Sequence, residues 1–404
     1  MPNIDYILIG LSDTTKPQFS SEIQEHIKNN KNFSGGERHF EKVKHLLSKN
    51  HQWYNIKGNI KELFNTYKNL PRPIVIFTSG DPYFFGFAQT IKKYEPNASL
   101  KVYPYFNSIQ LLSHKVGITY QNIDNISLHG RDWNSLDQKL ISKKDKIGIL
   151  TGPDKMPDQI AQRLKEYNFN NYYVYVGEAL GNKDKEKTGI YTLNELEKQK
   201  FDELNCLILI SDNDQNLDPQ IDNEKIQKIT QKPGMITKQS IRSLTISKSE
   251  LYKAKEFWDI GYCTGSIAIE AKTKFPHLNV TGFEKRKECY EILENNAKKL
   301  SVPGIDNINK DFMEYDISGM NEPDTVFIGG HGGKLEEMLK KVDKYLNKGG
   351  VIIMNCIKNE SKQTFEKTLK NLGYHLKSPI EVKEENSNTI SIVKGIKLQK
   401  EKSI

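Results

Sequence analysis

Short apolar runs alternate along the chain with stretches in which apolar positions recur every three or four residues. The runs predict strands at Tyr6–Leu11, Arg72–Thr78, Leu100–Tyr103, Ile126–Leu128, Lys146–Leu150, Tyr172–Val176 and Cys206–Ile210. Between them, helical spacing covers Ile23–Ile27, His39–Leu47 and Gln159–Tyr167. Strands alternating with helices predict an α/β unit on a largely parallel sheet. Ligands of such sheets sit at the carboxyl ends of the strands. The glycine-bearing turns that follow the strands are therefore the candidate site: Ser79-Gly80-Asp81-Pro82, His129-Gly130-Arg131, Thr151-Gly152-Pro153 and Gly177–Gly181.

The pattern breaks at Ser211–Lys232, which is rich in Asp, Asn and Gln and has no period. It predicts a linker over residues 212–231 between a domain at 1–211 and a second at 232–404. In the second domain the apolar entry Phe257-Trp258 runs into Asp259, Ile260 and a turn on Gly261, Thr264 and Gly265. Ser266 is placed to cap the helix that follows, through Ile267, Ala268, Ile269 and Ala271. Further strands are predicted at Val280–Phe283, Ile308–Asp311, Asp324–Ile328 and Val351–Asn355, with a closing antiparallel hairpin at Ile380–Lys383 and Thr389–Val393.

Strand, glycine turn and helix in that order begin a nucleotide-binding domain, with the new helix's free N–H groups facing the ligand. Glu284 ends the next strand, about twenty residues on, where an acid accepts hydrogen bonds from ribose hydroxyls. Cys263 stands where the dinucleotide fingerprint needs its second glycine, so the pattern excludes a dinucleotide. Its place beside a helix start favours thiolate character. Asp311, at the end of the third strand, suits an adenine edge. The fourth strand empties into Gly329-Gly330-His331-Gly332-Gly333. Four glycines cost entropy on ordering and are kept where backbone passes something bulky or forms an N–H nest for an anion. His331 reads as a proton carrier or donor to substrate, or else as a solvated loop histidine.

Bulk properties narrow the partners. A chain of 404 residues is long enough for two domains. No apolar run reaches the length of a membrane span, and the start M-P-N-I-D-Y carries no signal-peptide pattern, so a cytoplasmic protein is expected. The four cysteines are scattered, which favours reduced thiols and no metal site. The net charge of +8 admits an anionic partner. The lysines are dispersed, however, without interleaved aromatics, so a polycarboxylate small molecule is expected rather than nucleic acid.

Two resemblances bear on these motifs. D-I-G-x-x-T-G-S at Asp259–Ser266 resembles motif I of S-adenosylmethionine (SAM)-dependent methyltransferases. The resemblance places Asp259 near the methionine end, Glu284 on the ribose, and Gly261, Thr264 and Gly265 around the cofactor. Lys232–Arg242, which contains Thr237, resembles the lid of the decarboxylating precorrin methyltransferases, whose fold it extends over roughly residues 232–395. That family has glycine at the Cys263 position, which implies crowding from a Cβ there. In the first half, Ser79–Pro82, Asn107-Ser108-Ile109-Gln110, His129–Arg131 and Glu178–Gly181 occur in the order seen in the tetrapyrrole methylases. That resemblance implies SAM folded between two α/β subdomains against Gly80, Asp81, Pro82 and Ser108. It implies substrate contacts from the Gly10–Thr14 loop, through Ser12. Ser34–His39 reads as a second site loop, with Arg38 on the substrate, or else as a helix N-terminus.

Together the resemblances imply a tetrapyrrole methylase fold followed by a Rossmann-like methyltransferase domain. They imply two SAM sites, a precorrin or cobalt-precorrin substrate, methylation at ring carbons 5 and 15 with loss of a carboxyl, and self-association. Gly329, Gly330, Gly332 and Gly333 would then contact the macrocycle. An RNA or protein methyltransferase is the alternative enzyme, although the N/D-P-P-Y/F tetrad of amino-group methylation is absent. A corrinoid-binding protein with decayed cofactor sites is the non-enzymatic alternative.

Overall fold

A computed structural model describes residues 4–212, 223–228, 237–383 and 388–398. Contacts divide the chain into two compact units. The first comprises Met1–Arg131, Asp145–Gln162 and Asn171–Asp212, and the second Asp132–Lys144, Arg163–Asn170 and Asn213–Ile404. The division is thus less simple in sequence than a single break at the expected linker. In the second unit the buried Asp137 carboxylate accepts two bonds from Arg163, and Asn168 Nδ2 donates to Lys298 O at 2.8 Å. Within the expected linker, Ile226 is buried beside Ile292 and Leu293, and Gln227 exchanges two hydrogen bonds with Asn296. Residues 213–222 and 229–231 of the expected linker, and the 232–236 part of the lid, lie outside the described residues.

The first unit has two sheets. One consists of β1 (Tyr6–Leu11), β2 (Asn32–Gly35), β3 (Gln52–Asn55), β4 (Ile74–Ser79) and β5 (Leu100–Tyr103), in the order β3-β2-β4-β1-β5, all parallel. β1 and β4 are apolar and buried on both faces, as the central strands of a parallel sheet must be. The second sheet consists of β6 (Asp124–Ser127), β7 (Lys146–Leu150), β8 (Tyr172–Glu178), β9 (Lys187–Tyr191) and β10 (Asn205–Ser211), in the order β6-β7-β10-β8-β9. Only β6 and β7 pair in parallel; the other three pairings are antiparallel, which corrects the expectation of a largely parallel arrangement in this half. The short edge strands β3 and β9 carry polar, half-exposed residues and left no apolar run to read.

The second unit holds a seven-stranded sheet: β11 (Glu256–Ile260), β12 (Asn279–Phe283), β13 (Ile305–Ile308), β14 (Thr325–Ile328), β15 (Val351–Cys356), β16 (Tyr374–Val382) and β17 (Ile390–Lys397). Its order is β13-β12-β11-β14-β15-β17-β16, parallel except where β17 pairs with β15 and β16. The order reverses between β11 and β14, which opens a crevice beyond their carboxyl ends. The third strand lies three residues earlier than expected, so Asp311 sits in the turn beyond it, where its Oδ1 accepts from Met313 N at 3.0 Å. Trp258, Phe283 and Phe312 pack edge to face beneath this crevice and fix the strand ends that line it.

Candidate functional site

Each unit has a cavity at the carboxyl ends of its strands. The larger, about 640 Å³, belongs to the second unit. Gly261, at φ +71°, leaves β11 in a left-handed turn. A Cβ there would stand 2.6 Å from Gly330 O, and one on Gly329 would stand 2.7 Å from Gly261 O. These glycines are required because two backbone turns press together, and their contact forms the cavity floor. Gly329 N and Gly330 N both donate to Ile260 O, at 2.8 and 3.3 Å, and Gly333 N donates to His331 Nδ1 at 3.2 Å. Those N–H groups already have acceptors, so the anion nest expected of this loop does not form from them.

Gly265, at φ +74°, takes the N-cap position, and Ser266 is the first helical residue of Ser266–Lys274, with no side-chain cap. The expected serine cap is replaced by Asp259, whose Oδ2 accepts from Ala268 N at 3.1 Å. The other oxygen, Asp259 Oδ1, has no partner among the described residues, and the side chain is fully buried. Burial pushes this carboxyl up to about 8; the bond from Ala268 N opposes the shift and the Glu284 charge adds to it. Thr264 Oγ1 and Asn355 Nδ2, both on cavity-lining residues, are also buried without partners among the described residues. Three unpaired polar atoms in and beside one cavity are what a polar ligand would satisfy.

Glu284 is buried, and its four acceptor positions are engaged. Oε1 accepts from Arg286 N and Nε, and Oε2 from Arg286 Nη2 at 2.7 Å and Cys263 N at 3.2 Å. Burial alone would raise this carboxyl, but the Arg286 guanidinium and backbone bonds outweigh it and hold it below the usual range. Glu284 therefore pins the Cys263 turn, and ribose hydroxyls would have to share or displace these donors. Cys263 has φ +57°, the left-handed region that favours glycine. Burial raises its thiol above the ordinary range despite the Arg286 charge, which corrects the expectation of thiolate character.

The glycine loop carries His331 onto the rim. Nδ1 accepts from Gly333 N, so the proton sits on Nε2, 3.4 Å from Ser361 Oγ. Burial and the Lys358 charge lower its basicity, and the ring is neutral at physiological pH. This geometry makes it a donor at Nε2. Opposite, Arg242 is fully buried and pairs with Glu270, while its Nη1 donates to Thr237 O at 2.9 Å, tying Thr237 to the cavity edge.

Thr237, Gly261, Thr264, Glu284, Asp311, Gly329, Gly330, His331 and Gly332 meet in this cavity, whereas Asp259, Gly265 and Gly333 support it without lining it. Sequence reasoning missed Asn355, at the end of β15, and the basic residues Lys238, Lys285, Arg286, Lys310 and Lys334. Their signal was position just past a strand or beside a named motif residue.

The first unit's cavity is about 330 Å³ and is lined from both of its sheets. Ser12, Arg38, Gly80 and Ser108 line it, joined by the turns at His129, Thr151–Pro153 and Ala179–Leu180. Asp81 and Pro82 do not. Asp81 Oδ1 accepts from Tyr83 N at 2.8 Å and Pro82 is buried, so both shape the turn that presents Gly80. Gly10 must be glycine because a Cβ would lie 1.9 Å from Gly80 O. Of the two readings of Ser34–His39, the helix N-terminus is found: the segment is the end of β2 and the first turn of helix Glu37–Val43, which also carries Arg38 and His39 to the rim. No group of three or more metal-ligating side chains is assembled among the described residues.

Comparison with known proteins agrees with this geometry half by half. A family model for tetrapyrrole (corrin/porphyrin) methylases matches residues 5–197, and one for the precorrin methyltransferase domain matches residues 228–398. A Sinorhizobium protein named precorrin-6Y C(5,15)-methyltransferase, decarboxylating, is 26% identical over 325 residues, covering 80% of this chain and 77% of that protein. A Salmonella typhimurium cobalt-precorrin-6B C(15)-methyltransferase, decarboxylating, is 32% identical over 138 residues, 34% of this chain and 70% of that protein. The crystal structure of a precorrin-6Y C5,15-methyltransferase from Geobacter metallireducens matches at 28% identity and TM-score 0.41, covering 44% of this chain and 97% of that one.

Proposed function

The chain belongs to the decarboxylating precorrin-6Y C(5,15)-methyltransferases, and from that premise we propose that it methylates a precorrin or cobalt-precorrin at two ring carbons. The first unit serves carbon 5. The second serves carbon 15 and removes the carboxyl of the ring-C acetate. SAM is the cofactor of this family, and we assign it one site in each cavity. The observation that carries the reading is the pairing of two unlike α/β units, each with a strand-end cavity, with two different family models, each matching the half that holds that cavity. An RNA or protein methyltransferase would leave the first unit without a role.

The second cavity fits such a cofactor through its unsatisfied groups: Asp259 Oδ1, Thr264 Oγ1 and Asn355 Nδ2. When bound, SAM supplies an electrophilic methyl group on a sulfonium. The protein's task is then orientation, since an electron-rich ring carbon needs no side-chain nucleophile. Thr264 and Asn355 would hold its polar ends with the buried Asp259 behind the turn, Glu284 shapes the turn that carries Cys263, and Phe312 and Met313 supply an apolar wall that excludes water. His331 donates from Nε2 to the substrate at the rim. Electrons left by carbon dioxide pass into the conjugated macrocycle, so no protein electron sink is required. No helix among the described residues is long and apolar enough to cross a membrane.

Equilibrium dialysis of the full chain with labelled SAM tests the two-site assignment. Two moles bound per mole of chain are expected, with carbon dioxide released only when a precorrin is added. One mole bound would remove one cavity from the scheme.

A further inference from the structure

Resting on that reading, we propose that Arg38, His39 and Ser79 form a carboxylate-binding site in the first unit, in which the Ser79 hydroxyl and the Arg38 guanidinium grip the anion and His39 positions the hydroxyl. Ser79 and His39 belong to segments that the sequence marked as site turns, without either being named as a binding residue. Both line the first cavity together with Arg38.

Arg38 Nη2 donates to Ser79 Oγ at 2.9 Å, and His39 Nε2 lies 2.9 Å from the same atom. His39 Nδ1 accepts from Gly36 N at 3.1 Å, which puts the ring proton on Nε2 and makes that nitrogen a donor too. Both lone pairs of Ser79 Oγ are therefore occupied by donors. Its own O–H can only donate, and it donates to no protein acceptor among the described residues, where the side chain is exposed. A serine held this way offers a proton to the cavity and can accept nothing. His39 is lowered to about 4, by burial first and then by the Arg38 and Lys42 charges, so the tautomer and the donor pattern persist across physiological pH.

Charge gives the ligand its sign. Asp13, the acid nearest Arg38, is paired with Lys42 at 2.5 Å and lies 3.8 Å from Arg38 Nη1. Two cations, Arg38 and Lys42, share the single Asp13 carboxylate, so the group is net positive, and the Arg38 side chain is 42% exposed at the rim. Glu203 also lines the cavity but makes no ion pair with Arg38. One hydroxyl donor beside one planar cation matches a carboxylate, which accepts from both. Two sources carry that group: the acetate and propionate arms of the macrocycle, and the methionyl end of SAM.

The test uses the full chain with S79A, S79T and H39Q. S79T retains the hydroxyl, and H39Q retains a side-chain N–H. Thermal melting confirms folding. The macrocycle KM for carbon 5 methylation is measured, together with affinities for SAM and for decarboxylated SAM. If the macrocycle is the source, S79A raises its KM at least tenfold with kcat little changed, while S79T and H39Q stay within threefold of wild type. If the cofactor is the source, S79A weakens SAM at least tenfold but leaves decarboxylated SAM unaffected. Unchanged KM and unchanged SAM affinity in folded S79A overturn the inference, while carbon 5 methylation by wild type keeps the functional reading intact. Failure of the wild type to methylate any precorrin overturns the functional reading itself; the SAM pair still reports on this site.

Discussion

Asp259→Asn should stabilise the second unit and weaken its hold on SAM. Asp259 is fully buried, one oxygen has no partner among the described residues, and its carboxyl is raised from 3.8 to about 8. Between those values the folded state holds a proton that the unfolded chain has released. Stability therefore falls as pH rises through this window, and levels off above 8. At pH 7 roughly three units of the window have been crossed, a cost of about 4 kcal/mol at 1.36 kcal/mol per unit. Asparagine can still accept from Ala268 N and never ionises, so the variant escapes this cost. Relaxation around the carboxyl takes back part of it, and a gain of about 2–4 kcal/mol corresponds to roughly 5–10 °C in a unit of this size.

Thermal melts of the full chain at pH 4.5, 7 and 8.5 read this directly, following the transition that SAM shifts through the second unit. Wild type and variant should nearly coincide at pH 4.5 and separate as pH rises. SAM, which is cationic, should bind wild type more tightly as the carboxyl ionises between pH 6.5 and 8.5. In the variant, affinity should be flat with pH and at least tenfold weaker at pH 8.5. A variant no more stable than wild type at pH 8.5, with the same pH dependence of SAM binding, would show that the buried carboxyl is not held uncharged and does not face the cofactor.

Three further substitutions bear on the same cavity. Gly261→Ala forces a left-handed alanine into backbone 2.6 Å from Gly330 O; a loss of about 1–2 kcal/mol from φ alone, plus the clash, should appear as a lower melting temperature and weaker SAM binding by calorimetry. Cys263→Gly removes a left-handed side chain worth about 1–2 kcal/mol of strain and adds about 0.5–1 kcal/mol of unfolded-state entropy. Melting should be equal or slightly higher, with SAM bound at least as well, and the raised thiol of wild type should alkylate slowly near neutral pH and more slowly still with SAM. Arg242→Met removes one of two cations from the buried Glu270, which keeps Lys274 at 2.9 Å and the Ser243 hydroxyl on its other oxygen, and should cost about 1.5–3 kcal/mol in denaturant unfolding, with part of it recovered in the double variant with Glu270→Met.

The sequence carried the parts of the fold that depend on apolar runs. Every strand that lines the crevice of the second unit could be read, because β11, β12, β14 and β15 are buried on both faces and leave unbroken apolar segments. β2, β3 and β9 could not, since edge and small strands carry Asn, Gln, Lys and Gly and resemble loops. Pairing direction was also hidden: β8 and β10 are as apolar as parallel strands, and only their partners make them antiparallel. At the site, glycine positions and the acid after β12 were legible from spacing. What each group bonds to was not. Glycines at 329 and 330 looked like an anion nest and are spacers against Gly261. Glu284 looked free for ribose and has its acceptors filled by Arg286 and Cys263. Ser79 and His39 meet only because β4 ends beside the helix that follows β2, a neighbourhood that no local pattern encodes.

The central claim is that one chain adds two methyl groups to a precorrin and removes one carboxyl. Mass spectrometry of a precorrin or cobalt-precorrin substrate after incubation with the full chain and methyl-labelled SAM tests it most directly. The account predicts a product that has gained two labelled methyls and lost one carbon dioxide. Gly261→Ala should yield mainly the singly methylated macrocycle with its carboxyl retained. A substrate recovered unchanged, or a wild-type product with a single methyl and every carboxyl in place, would contradict the account.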